Sequence, residues 1–181
     1  MDNEHSSWLL FSFTLPAKNQ AGRMRAWRRL TGLGAVIVKS TLYALPARAD
    51  LAEQLTWLAR EVEEMGGEAL FLEAGPPSNV TAGEMAALFT RARDADWQAL
   101  EDELQPLLDH ARDAAAGKAR PAGRSRKSAP PATDAAALEQ ARRKLSRRAE
   151  TLRAIGYFPS GRGQRALALL EELGRILSGL A

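Results

Sequence analysis

The sequence predicts an α+β protein, a ferredoxin-like βαββαβ domain followed by a helical C-terminal extension. Three observations lead there. Strand-sized apolar runs and two helix-period stretches follow one another over residues 7–75 in the order strand, helix, strand, strand, helix, strand. Glycines and prolines stand at the joints between them. Beyond residue 80 the periodicity is helical, interrupted by one tract of proline, glycine, serine and base. A βαββαβ succession folds as an antiparallel four-stranded sheet with both helices on one face.

Each element has its own reason. Residues 8–15 (WLLFSFTL) are apolar and aromatic and end at Pro16, as a buried strand does. Gln20–Leu33 reads as a helix with Met24, Trp27 and Leu30 on an apolar stripe and Gly32 and Gly34 as its stop. Two short strands follow, Ala35–Lys39 and Ser40–Leu45, with a tight bend at Lys39-Ser40 and Pro46 closing the second. Leu51–Met65 is an amphipathic helix on Leu51, Leu55, Leu58 and Val62, ended by Gly66-Gly67, and Glu68–Glu73 is the last strand. A long helix starts near Thr81, where Thr81 and Glu84 have the spacing of a capping box, and runs to about Ala115 with Pro106 as a point of kinking or division. Asp134–Ile155 and Arg165–Leu180 complete the helical part. The expected division is 7–75 for the ferredoxin-like domain, 80–116 for the long helix and 117–133 for a flexible basic linker, with 134–180 a helical hairpin packing on the long helix.

Composition narrows the classes of function. With 45% hydrophobic residues in 181, the chain is long enough for a packed domain and an appendage. Apolar runs such as Ala35–Val38 fall far short of the roughly 18 residues of a membrane span. The first residues, with Asp2 and Glu4, lack the basic start of a secretory signal. A cytoplasmic protein with no membrane partner is therefore expected. There is no cysteine, hence no disulfide, thiolate nucleophile or thiolate metal site.

The net charge of +3 conceals a segregation that matters more than the total. Between Pro16 and Ala49 stand seven bases (Lys18, Arg23, Arg25, Arg28, Arg29, Lys39 and Arg48) and no acid. Asp50–Asp113 holds fifteen acids and four bases; Ala114–Arg148 holds ten bases against Asp134 and Glu139.

Several segments, in order, are similar to one known family. They are Leu15-Pro-Ala-Lys18, Arg23-Met-Arg-Ala-Trp-Arg-Arg-Leu30, Leu33-Gly-Ala35, Lys39-Ser40 with Tyr43-Ala-Leu-Pro46, Trp57-Leu58, Glu61 and Gly66-Gly-Glu-Ala69. Ile155-Gly-Tyr-Phe-Pro-Ser160 belongs with them, although an acidic residue is expected where Gly156 stands. From Trp8 to about Leu177 the chain thus resembles the N-terminal domain of the ChrB family, bacterial proteins associated with chromate resistance. The resemblance implies a regulator of chromate-inducible genes whose N-terminal domain contributes to DNA binding or regulation. Full-length members also carry a C-terminal sensing domain, and none is expected within these 181 residues.

Arginine presents a planar fork that pairs with phosphate or another oxyanion through two hydrogen bonds. Arg23, Arg25, Arg28 and Arg29, with Lys18 and Lys39, would make a strip suited to a nucleic-acid backbone or a small dianion. Arg142, Arg143, Lys144, Arg147 and Arg148 form a second tract suited to tracking phosphates. The plainer alternatives are a solvated face neutralised by the acidic helix 51–65, and a soluble hairpin surface. DNA is the expected partner, with an oxyanion such as chromate and a homodimer through sheet edges as further expectations. The alternative is a non-enzymatic accessory domain whose basic surface handles an oxyanion or meets an acidic protein partner.

Trp8, Trp27 and Trp57 read as core residues, Trp97 as packing against the tail, and none as a base-stacking platform. No catalytic residue, metal or cofactor is expected. His5 and His110 stand alone, there is no HExxH, GxSxG or phosphate-binding loop, and Gly161-Arg-Gly163 is too short for one. Small CRISPR-associated nucleases place a metal-binding acid at the end of their first strand. Here that stretch, Ser12–Pro16, has no carboxylate, and Glu61, Glu63, Glu64 and Glu68 read as solvent-facing charges.

Overall fold

Alternation along Trp8–Thr14 sends Leu9 and Phe11 to one side and Trp8 to the other, and all three are buried. This central strand, β1, is followed by α1 (Gln20–Gly32), β2 (Val36–Lys39), β3 (Leu42–Pro46), α2 (Ala49–Glu64), β4 (Glu68–Ala74), α3 (Ala82–Ala115), α4 (Pro131–Ala154) and α5 (Gly161–Leu180). A computed structural model of the chain describes residues 7–75, 77–117 and 131–180. The chain is α+β, and the described residues form five helices and one antiparallel sheet of order β2-β3-β1-β4. In β1, Phe11 faces Tyr43 of β3 on one side and Phe71 of β4 on the other. The β2–β3 bend turns on Ser40 at φ 49°, and the pairing is irregular between Ile37 and Lys39. Most of the expected linker, 117–133, lies outside the described residues.

The described residues form two units, one running to Ala92 and including Ile155–Phe158, the other made of Arg93–Ala154 and the chain from Pro159 onward. In the first, Ala26 and Leu30 of α1 and Leu51, Leu55, Leu58 and Val62 of α2 pack on the sheet face that carries Leu9, Phe11, Tyr43 and Leu45. The opposite face is covered in part by Met85 and Phe89 of α3 and by Tyr157 and Phe158, which enclose Trp8, Val36 and Ala44. Trp8 stacks on Phe89 at 5.5 Å and on Phe158 at 6.2 Å between ring centroids. The Tyr157 hydroxyl donates to the Leu33 carbonyl at 2.5 Å. Gly34 permits this close approach: its φ is +78°, and a Cβ there would lie 2.8 Å from the Ile155 carbonyl oxygen.

The second unit packs Trp97, Leu100, Leu104 and Leu108 of α3, Leu138, Leu145 and Leu152 of α4, and Leu170, Leu173 and Leu177 of α5 in one cluster. Gly163 abuts the Trp97 ring, where a Cβ would meet Nε1 at 2.8 Å. Pro106 does not divide α3, which runs unbroken from Ala82 to Ala115. Its N-terminus is the expected capping box: the Glu84 amide donates to Thr81 Oγ1 at 3.2 Å and the Thr81 amide to Glu84 Oε2 at 2.8 Å. α5 starts at Gly161, a turn earlier than the leucine stripe predicts, because the Ser160 hydroxyl accepts from the Gly163 amide at 2.9 Å and donates to Asp94 at 2.6 Å.

Two core expectations are corrected. Trp27 and Trp57 are exposed, at 43% and 53%, and Met24 with them. α1 buries Gly22, Ala26 and Leu30 instead, because it lies so close to the end of α2 that a Cβ on Gly22 would meet Met65 Sδ at 2.9 Å. Small side chains therefore take the inner stripe, and Trp27, about 100° round from Ala26, turns outward. On α2 the inner stripe is all leucine and valine, which leaves Trp57 outside it.

Candidate functional site

The basic strip of α1 is split by the helix into unlike parts. Arg23 turns back on the loop before it and donates to the carbonyls of Pro16 at 3.0 Å and Ala17 at 2.9 Å. Its guanidinium fixes the β1–α1 connection. Arg25 and Arg29 point towards α2 and converge on one carboxylate, Glu61: Arg25 Nε lies 2.5 Å from Oε1 and Arg29 Nη1 lies 3.4 Å from Oε2. Arg29 also donates to the Gln54 side-chain oxygen at 3.2 Å. Arg28 projects to solvent, as do Lys18 and Lys39, and among the described residues no carboxylate pairs with these three.

Glu61 is not the solvent-facing charge its sequence context predicts. Its side chain is only 15% exposed, whereas those of Arg25 and Arg29 are 72% and 40% exposed. The Arg25 contact is short but not aimed along a hydrogen bond, so Oε1 has no donor directed at it. Two guanidiniums thus share one imperfectly satisfied carboxylate and keep a net positive charge at the surface. The helix geometry places Gln54, Trp57 and Glu61, at i, i+3 and i+7, on one side of α2. Trp57 therefore stands between the two side chains that hold Arg29. The Arg60 guanidinium lies 5.2 Å from the centre of the Trp57 ring.

On α4 the five expected bases also separate. Arg142 grips Glu139 through two hydrogen bonds of 2.7 and 2.8 Å, and Arg143 adds a third at 2.8 Å. Donation from both arginines pulls the Glu139 carboxyl down to about 2. Arg148 reaches across to Glu103 of α3 at 2.5 Å. Lys144 and Arg147 are exposed and, among the described residues, have no carboxylate partner. With Arg143 they border a shallow surface that also takes in Ala137, Gln140 and Ala141. Among the described residues no three histidine, aspartate or glutamate side chains converge as a metal site, and no helix is long and apolar enough to cross a membrane.

The exposed tryptophan beside the α1 arginines is what sequence reasoning missed. A signal was present: Trp57 lies one position before Leu58 on the 51-55-58-62 stripe, and so falls outside a face already filled by aliphatic residues.

Residues 23–112, which include all four α1 arginines, Trp57 and Glu61, match the family model described as Protein ChrB, N-terminal. Over 162 residues, 89% of this chain, the sequence is 26% identical to Protein ChrB of Cupriavidus metallidurans. The alignment covers 43% of that protein, so the chain spans less than half the length of this curated relative. With the family model seated on α1 to α3 and the similarity to the curated relative extending over most of its length, the chain belongs to the ChrB family.

Proposed function

We propose that the protein is a non-catalytic, cytoplasmic regulatory protein associated with chromate resistance, and that it contacts DNA phosphates through the exposed bases of α1 and α4. The observation that carries this reading is the charge imbalance at the α1–α2 surface: Arg25 and Arg29 share a single carboxylate, Glu61, and Arg28 on the same helix has no carboxylate partner among the described residues. Exposed ion pairs contribute about 0–1 kcal/mol, so a phosphate can displace Glu61 at little cost and gain a two-pronged partner. Arg143, Lys144 and Arg147 add a second set of donors. Chromate association and a regulatory role come from the family resemblance.

The architecture belongs to the same reading. The succession of β1 to β4 with the strand order β4-β1-β3-β2, and α1 and α2 on one sheet face, support a ferredoxin-like domain over 7–75. The edge strands β2 and β4 suit pairing with a second copy, which would double the basic surface. The test is a salt-titrated binding assay with the DNA upstream of the gene beside random duplex. The expected result is binding that weakens steeply with salt and weakens further when Arg25, Arg28 and Arg29 become alanine. Unmeasurable affinity at low salt, or affinity indifferent to those substitutions, overturns the reading.

A second reading follows from the same pair of guanidiniums. Two arginines converging on one carboxylate also fit a small dianion, so the site would handle chromate or sulfate. Calorimetry separates the two: anion handling requires saturable heats with chromate, and phosphate tracking does not.

A further inference from the structure

Trp57 is the exposed large apolar side chain of α2 among the described residues, and its surroundings are not those of a hydrophobic docking patch. The helical neighbours of the ring are Arg60, over it at 5.2 Å, Gln54 and Glu61, both bound to Arg29 of α1, and the exposed Glu53 at i−4. Arg25 shares that side of α1, and Arg28, about 60° round from Arg25, projects to solvent next to it. Protein interfaces bury clusters of apolar side chains, whereas one accessible ring with a guanidinium over it and further arginines on the neighbouring helix is an arrangement that can hold a base and the phosphates beside it. Trp27 does not share this placement. It is about 200° round α1 from both Arg25 and Arg29.

We infer that Trp57 is a stacking platform for an unpaired nucleobase, with Arg25, Arg28, Arg29 and Arg60 gathering the phosphates of the same strand; this rests on the phosphate-contacting reading above. Every base offers a π-face, so the site takes single-stranded nucleic acid without selecting its sequence. With 53% of its surface accessible, the ring is not closed off by Arg60, whose cation stiffens the platform and supplies charge next to it. Glu53 at i−4 and Glu64 at i+7 stand on the same side of α2 as Trp57, slightly further from α1, and favour phosphates on the α1 side of the ring. A base in a duplex is already stacked on its neighbours and cannot use the platform without being unpaired.

The discriminating experiment measures fluorescence anisotropy of labelled oligothymidine and of a random duplex, with the full chain and its Trp57→Ala, Trp57→Phe and Arg25/Arg28/Arg29→Ala variants. Trp57→Ala is expected to weaken oligothymidine binding about tenfold while leaving duplex affinity and the salt slope unchanged. Trp57→Phe, which keeps a ring, should recover most of the loss. Because the side chain is exposed, both variants should melt as the parent does. Unchanged oligothymidine affinity in Trp57→Ala, with duplex binding intact, overturns the stacking inference and leaves the phosphate reading standing. So does an equal loss on both nucleic acids. If the unaltered protein binds neither at low salt, the phosphate reading falls and takes this inference with it.

Discussion

Glu61 is the residue on which the α1 surface turns. It is the least exposed member of its cluster, yet the arginines around it are open to water, so its grip on them is weak in free energy and strong in placement. Glu61→Gln should cost at most about 1 kcal/mol of stability and raise affinity for a polyanion several-fold, with a steeper dependence on salt, as anisotropy against ionic strength would read out. An unchanged slope would mean that Arg25 and Arg29 are not used. Glu139 obeys the same physics with a different consequence. Its carboxyl is held near 2, below the ordinary 4.5, so the stability it contributes is present above 4.5 and is lost as pH falls from there to about 2. Glu139 and Arg142 are partly exposed and Arg143 largely so, and solvent screening keeps the effect small. The melting difference between the parent and Glu139→Gln should be visible at neutral pH and vanish near pH 2.

At the level of elements, the placement of strands and helices was legible because period and punctuation agreed. The capping box at Thr81 and Glu84 fixed one helix start from sequence alone, and Glu84 is held below its usual carboxylate range by the Thr81 amide and hydroxyl. Thr81→Ala should lower the melting temperature by a few degrees, since the first-turn amide loses its acceptor. What sequence period did not reveal was which side of α1 turns inward. Met24, Trp27 and Leu30 make an apolar stripe, but Gly22, Ala26 and Leu30 make a smaller one, and close approach to Met65 of α2 favours the smaller. The fate of the bases followed from the same rotation. Arg23 went to loop carbonyls, Arg25 and Arg29 to Glu61, and Arg28 to solvent, a division that linear charge counting treats as four equal residues.

For the whole molecule, the βαββαβ segment and the leucine stripes of the later helices could be read in advance, but the return of residues 155–158 to the first unit could not. Nothing in the local pattern of Ile155-Gly-Tyr-Phe158 says which distant face it covers; that depends on the shape left by Trp8, Met85 and Phe89. Removing the ring in Phe158→Ala should cost about 2 kcal/mol, less than a fully buried aromatic because the side chain is only partly enclosed. A calorimetric trace with the first unit unshifted would contradict it.

That late return has a consequence for synthesis. A ribosome that has delivered the chain through Ala92 has made the sheet and the helices on one of its faces, but not the aromatic lid on the other. Trp8 and Phe89 must wait while some sixty further residues emerge, so this half of the molecule matures only after most of its companion has been translated. Fragments ending near residue 92 should therefore be sticky wherever they arise, and truncation there is the wrong way to isolate the sheet.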